Sequence, residues 1–109
     1  MTNTHPMNAL GDATRRKLFE RIRQSPCTVT ELVETVSVSQ PAVSQHLKVL
    51  REAQLVRVMK QGQKRIYQLN PNGLDELRRY VEGLWEDALQ AFGEEAARIA
   101  NAEDQNPET

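Results

Sequence analysis

Two helix starts separated by a short break constrain this chain more than any other feature. Thr28-Val29-Thr30-Glu31 has the pattern of a capping box, in which threonine caps a helix and a glutamate three residues on reaches back to the cap. Ser39 is the next N-cap, and Pro41 falls in the first turn behind it, where a missing N–H costs nothing. Between the caps lie one short helix, ELVETV, with Leu32, Val33 and Val36 as its apolar side, and the small-residue break SVS. The second helix, expected over 40–53, repeats Val43, Leu47 and Leu50 at four- and three-residue spacing. Helix, tight turn, helix is the helix-turn-helix arrangement.

The second helix has an unusual polar face. Where a surface helix carries Glu and Lys pairs, this one carries Ser39, Gln40, Ser44, Gln45, His46 and Lys48. The major groove of DNA admits one α-helix, and its bases are read by side chains that donate and accept. Gln40 and Gln45 suit adenine edges, Ser44 suits either kind of base, and Ala42 suits a thymine methyl. These residues occupy the N-terminal half of the helix, the end that points at bases in helix-turn-helix proteins. Ser39, at the free N–H groups of the first turn, suits a phosphate.

The flanking sequence supplies supporting elements. Asp12 caps a helix of about three turns with Leu18, Phe19 and Ile22 on one side, ending near Ser25-Pro26, and Asn8-Ala9-Leu10 reads as a separate helical turn. Residues 55–60 (LVRVMK) and 64–69 (KRIYQL) read as two strands joined by a turn at Gln61-Gly62-Gln63. The hairpin tip is basic on both sides, with Arg57 and Lys60 before it and Lys64 and Arg65 after, so it makes a wing. Lys48, Arg51, Lys60, Lys64 and Arg65 suit flanking phosphates, and Gln63 at the tip belongs to the same DNA-facing set.

Asn70 and Pro71 open a last long helix. Its stripe is Leu74, Leu77, Val81, Leu84, Trp85, Ala88, Leu89, Phe92, Ala96 and Ile99, more apolar surface than a small winged domain covers alone, which favours a dimer over a monomer that folds the helix back as core. Gly83 and Gly93 weaken this helix and mark 93 as a place where it can kink or end. The fold class expected is mainly α (α+β): a winged helix-turn-helix with a two-stranded hairpin wing and a long C-terminal dimerisation helix. One domain spans 1–100, with 101–109 a disordered tail.

The net charge of -1 conceals an uneven distribution. Residues 48–65 carry a balance of +5 and residues 71–109 one of -7, a division suited to a polyanion at one end. The near-neutral total speaks against indiscriminate coating of nucleic acid. No apolar run approaches a membrane span, the N-terminus lacks the pattern of a secretory signal, and one cysteine makes a reducing cytoplasm the default location. No phosphate loop, nucleophile–base pair or enforced carboxylate pair argues for an enzyme. The alternative function is a winged-helix protein-interaction module that uses the last helix.

The segments LGDATRRKLFERI, TVTELVETVSVSQPAVSQHLKVLREAQLV and GQKRIYQLNPNGL resemble the ArsR/SmtB family of bacterial winged-helix repressors over about residues 8–92. The resemblance implies a cytoplasmic homodimer that binds an inverted-repeat operator in double-stranded DNA, with Ser39, Gln40, Ser44, Gln45 and His46 facing the DNA. It also implies a dimer interface of first and last helices, here Leu10 with Leu77, Val81, Leu84, Trp85, Ala88 and Phe92. The chain departs from the metal-sensing members. Where those carry thiolates in a stretch like ELCVCDL, this sequence has Val33 and Thr35, and residues 71–109 contain no histidine. No metal site and no cofactor are therefore expected. His5 and His46 are far apart, and Cys27 reads as a small core residue, with a redox switch the lesser alternative because thiol-sensing members use a cysteine pair.

Overall fold

Asp12 opens the first long helix as an extended N-cap residue, its carboxylate accepting the Arg15 N–H at 2.9 Å. This computed structural model describes residues 4–104. Its elements in chain order are α1 (Pro6–Ala9), α2 (Ala13–Gln24), β1 (Cys27–Thr28), α3 (Val29–Val33), α4 (Gln40–Glu52), β2 (Val56–Gln61), β3 (Lys64–Leu69) and α5 (Pro71–Asp104). The chain divides into two units, Met1–Leu77 and Arg78–Thr109.

In the first unit the capping box forms as expected. Thr28 N–H donates to Glu31 Oε1 at 3.0 Å, and Glu31 N–H donates to Thr28 Oγ1 at 3.3 Å. The Thr28 N–H and hydroxyl hold the Glu31 carboxyl below the usual carboxylate range, and Arg21, 3.2 Å away, ties α3 to α2. The helix is shorter than the sequence suggested, ending at Val33, with Glu34 to Ser39 forming the connection to α4. Thr35 bends there, its hydroxyl donating to the Leu32 carbonyl at 2.7 Å, a local bond that competes with helix continuation.

Ser39 caps α4, and Val43, Leu47 and Leu50 are buried in one core with Leu18, Phe19, Ile22, Leu32, Leu55, Val56 and Tyr67. The core thus fixes which face of α4 is outward. After Ala53 the backbone turns through Gln54, which has φ of 59°, and Leu55 enters β2. The hairpin pairs Val56 with Leu69 through Gln61 with Lys64, and Gly62, at φ 65°, makes the turn. A third strand was not expected: Cys27 and Thr28 pair antiparallel with Tyr67 and Ile66, giving the order β1-β3-β2. Two residues carry no alternation for a sequence reading to detect.

Cys27 is buried, 1 % exposed, and burial raises its thiol pKa above the ordinary value. A buried, protonated thiol is a poor nucleophile. Cys27 is expected to resist a bulky disulfide reagent in the folded protein and to react within seconds to minutes once denatured. Stoichiometric rapid labelling of the folded chain would contradict this placement.

The second unit belongs to α5. The helix continues past both Gly83 and Gly93, so the early end at 93 does not occur, and it runs into the segment expected to be tail. Residues 105–109 of that tail lie outside the described residues. From Arg78 to Ala100 every side chain is exposed.

Candidate nucleic-acid interface

Because Val43, Leu47 and Leu50 are buried, the intervening positions Gln40, Ser44, Gln45, Lys48 and Arg51 all face solvent. Gln40, Ser44, Gln45, Lys48 and Arg51 line an open groove between α4 and the hairpin. Arg57, Arg65 and Glu52 join them, with Val29, Val56, Val58 and Tyr67 among the apolar lining. Strand alternation explains the share of Val56, Val58, Arg65 and Tyr67, which project from one face of the ribbon together with Lys60; Arg57 and Lys64 belong to the other face, although Arg57 also lines the groove.

The predicted residues are not all gathered together. Lys60, Gln63 and Arg65 cluster around Gly62 at the tip, while Lys64 and Gln63 border a second recess with Thr28, Val29, Thr30 and Glu31. Ser39 is used as a cap, its Oγ accepting the Ala42 N–H at 3.3 Å, and neither Ser39 nor half-buried Ala42 lines the groove. His46 also stands apart from it. Its Nδ1 lies 3.4 Å from Arg15 Nη1 and 3.9 Å from Asp12 Oδ2, against the start of α2. The Arg15 guanidinium continues to the Ala9 carbonyl at 2.7 Å, so this cluster joins α1, α2 and α4. The Arg15 N–H, followed by His46 and the Arg15 guanidinium, holds the Asp12 carboxyl below the usual range against a smaller opposing effect of burial.

Arg57 is the residue the sequence reading left out of the DNA-facing set. It is exposed and lines the groove opposite Lys48 and Arg51. The signal was present in the basic count around the hairpin but not in its register, which pairs Arg57 with Gln68.

Among the described residues no group of three or more His, Cys, Asp and Glu is placed to hold a metal ion. Val33 is half-buried and Thr35 has its hydroxyl committed to Leu32. No helix is long and apolar enough to cross a membrane among the described residues.

A helix pinned by its apolar side, with amide, hydroxyl and cationic groups outward and a basic hairpin beside it, defines a winged helix-turn-helix DNA-binding regulator. Comparison with known proteins gives the family. The model of the bacterial regulatory protein, arsR family, matches residues 12–58. The HTH-type transcriptional regulator Rv2034 of Mycobacterium tuberculosis is 46% identical over 79% of this chain and 80% of its own length. The transcriptional repressor SdpR of Bacillus subtilis is 31% identical over 62% of this chain and 76% of its own. The crystal structure of a "possible transcriptional regulator for arsenical resistance" superposes with a TM-score of 0.69 at 36% identity, covering 81% of this chain and 95% of that one. This chain belongs to the ArsR family of DNA-binding transcriptional regulators.

Proposed function

We propose that the chain, over residues 1–100, is a homodimeric cytoplasmic repressor that binds an inverted-repeat operator. Gln40, Ser44 and Gln45 read bases in the major groove. Lys48, Arg51, Arg57, Lys60, Lys64 and Arg65 hold flanking phosphates, with Gln63 at the wing tip and Ser39 at the helix entry. Ala42 offers its methyl at the edge of the contact, and His46 acts from behind the helix through Asp12 and Arg15. Dimerisation uses Leu10 and the α5 stripe from Leu77 to Phe92. A two-fold dimer suits half-sites about 34–36 Å apart or a multiple of that. Metal does not act as the signal.

The observation that carries this reading is the groove itself. Gln40, Ser44 and Gln45 and the cations Lys48, Arg51, Arg57 and Arg65 line one open groove, while the opposite side of α4 is locked in the core. Support for the dimer comes from α5, where Leu84 is 51 %, Trp85 64 % and Phe92 71 % exposed in the single chain.

The test is retention of the DNA upstream of the protein's own gene across a salt series. Six phosphate-holding cations in each protomer predict an affinity loss of at least about a thousandfold between about 50 and about 200 mM salt, through counterion release. A promoter fragment that is not retained, or retained independently of salt, contradicts the reading and favours a protein-interaction role for α5. Zinc or arsenite that changes operator affinity stoichiometrically contradicts the metal-independent part alone.

A further inference from the structure

Every polar side chain of α4 from Gln40 to Glu52 lines the groove except His46. The ring of His46 turns to α2 instead and presents a single nitrogen, Nδ1, to two groups of opposite character. Arg15 Nη1, a donor, lies 3.4 Å from Nδ1, and Asp12 Oδ2, an acceptor, lies 3.9 Å from it. One nitrogen serves only one of them at a time. Without a proton, Nδ1 accepts from the Arg15 guanidinium; with one, it repels that cation and donates to the Asp12 carboxylate. The observed distances belong to the first arrangement, because 3.9 Å is beyond hydrogen-bond reach. Both partners are fixed from elsewhere. Arg15 Nε donates to the Ala9 carbonyl at 2.7 Å, and Asp12 Oδ2 accepts the Arg15 N–H at 2.9 Å as the cap of α2. A change of partner is therefore taken up by α4, where Ser44 and Gln45 directly precede the ring.

We propose that His46 is a positioning residue for base reading, and that its neutral imidazole, held by Arg15, sets α4 in the reading orientation. One proton taken from solvent onto Nδ1 moves the ring from Arg15 to Asp12 and turns Ser44 and Gln45 out of register with the bases. Operator binding is then coupled to release of that proton, and selectivity falls as the pH falls. The proposal rests on the assignment of base reading to α4 and adds the side chain and the charge state that govern it.

The surroundings of the ring give that proton its effect. Of the elements packed on α4, α2 brings both charged groups, Asp12 and Arg15, and α1 brings the neutral Ala9 carbonyl, already bonded to Arg15. Among the described residues, α3 and β2 bring no hydrogen bond or ion pair to the ring, although both pack on the same helix. On α4 itself the residues one turn away, Ala42, Val43, Val49 and Leu50, are all uncharged. With a neutral ring the cluster of Asp12, Arg15 and His46 has no net charge. The added proton sets two cations beside one carboxylate. Histidine is the side chain that ordinarily titrates between about pH 5 and about pH 8. The other histidine, His5, is committed elsewhere: its Nδ1 accepts the Met7 N–H at 3.1 Å, and its Nε2 lies 3.7 Å from Glu76.

The test is a series from about pH 8 to about pH 5.5 at fixed ionic strength, on the full chain. Affinities for the DNA upstream of its own gene and for unrelated DNA are measured side by side. For the wild type their ratio is expected to fall about tenfold across the series, because operator binding must expel a proton from each protomer. His46→Gln has no titrating ring, so its ratio should change by less than about twofold over the series, whatever its level at the alkaline end. Asp12→Asn keeps a good helix cap but removes the acceptor for the charged ring, so the fall should shrink to about threefold. The two variants read the same claim from opposite partners, and circular dichroism at each pH checks that helix content is retained. A purely structural histidine would lower the ratio equally at every pH when replaced. A wild-type ratio indifferent to pH, or a fall that persists in His46→Gln, contradicts the proposal alone. Failure to retain the upstream DNA at any pH contradicts the base-reading assignment beneath it.

Discussion

Replacing Gly73 with alanine is expected to destabilise the fold by about 2 kcal/mol, although alanine is the better helix former by roughly 1 kcal/mol. Gly73 lies in the first turn of α5, where its N–H has no intrahelical acceptor. It donates instead to the Gln54 carbonyl at 2.8 Å. Gln54 presents that carbonyl because its backbone is left-handed, φ 59°, just past the end of α4. A Cβ on Gly73 would stand 2.3 Å from the Gln54 oxygen and 2.7 Å from that of Ala53. Both neighbours are backbone, so no side chain can rotate away. The melting temperature should fall by about 10 °C at fixed protein concentration. Gly83→Ala is the control, because nothing lies within 4 Å of a Cβ there. That substitution should raise stability by up to about 1 kcal/mol. A neutral or stabilising Gly73→Ala would mean that the end of α4 and the start of α5 are not in this contact.

The Gly73 contact also shows where sequence reading stops. Helix starts were legible because each is a local exchange of hydrogen bonds. Asp12 to the Arg15 N–H, Thr28 with Glu31, and Ser39 to the Ala42 N–H lie within three residues in the chain and form as expected. The core face of α4 was legible for a similar reason, since helical periodicity is a property of one segment. Gly73 against Gln54, Cys27 against Tyr67, and His46 against Asp12 and Arg15 join distant segments. No periodicity announces such contacts. Helix ends were less legible than starts: α3 stopped early where Thr35 bonds back to Leu32, and α5 ran through Gly93 because a glycine weakens a long helix without ending it.

The site divides in the same way. The polar residues of α4 were visible as departures from ordinary surface-helix composition, and the structure sets Gln40, Ser44 and Gln45 in one groove. Arg57 is placed in that groove only by the folded structure, since strand alternation sets it on the other ribbon face from Arg65 and Tyr67. His46 shares the helix with Gln40, Ser44 and Gln45 yet lies against α2 at 22% side-chain exposure, which sets it apart from Gln45 one position earlier. Adjacent residues on a helix are separated by about 100°, so a residue list drawn from one segment mixes faces that the fold separates.

The largest functional effect is expected from the paired change Gln40→Ala with Ser44→Ala. Both side chains are exposed, line the groove and lie outside the buried core, so their removal should leave the fold intact. A base contact of this kind contributes about 1–3 kcal/mol of discrimination. Two of them in each protomer, four in the dimer, should lower affinity for the specific operator by about a thousandfold or more, even at the low end of that range. The cations Lys48, Arg51, Arg57 and Arg65 remain in the groove, so binding to unrelated DNA should change by no more than about threefold. Lys48→Ala is expected to do the reverse, weakening both DNAs alike and reducing the salt slope by about one per protomer.

The most direct test of the central claim is therefore the ratio of operator affinity to unrelated-DNA affinity, measured for the wild-type chain and for the Gln40→Ala, Ser44→Ala variant in the same salt. A reading head on α4 predicts that this ratio collapses by about three orders of magnitude while unrelated-DNA binding persists. Equal losses on both DNAs, or an unchanged ratio, would contradict the assignment of base reading to this face.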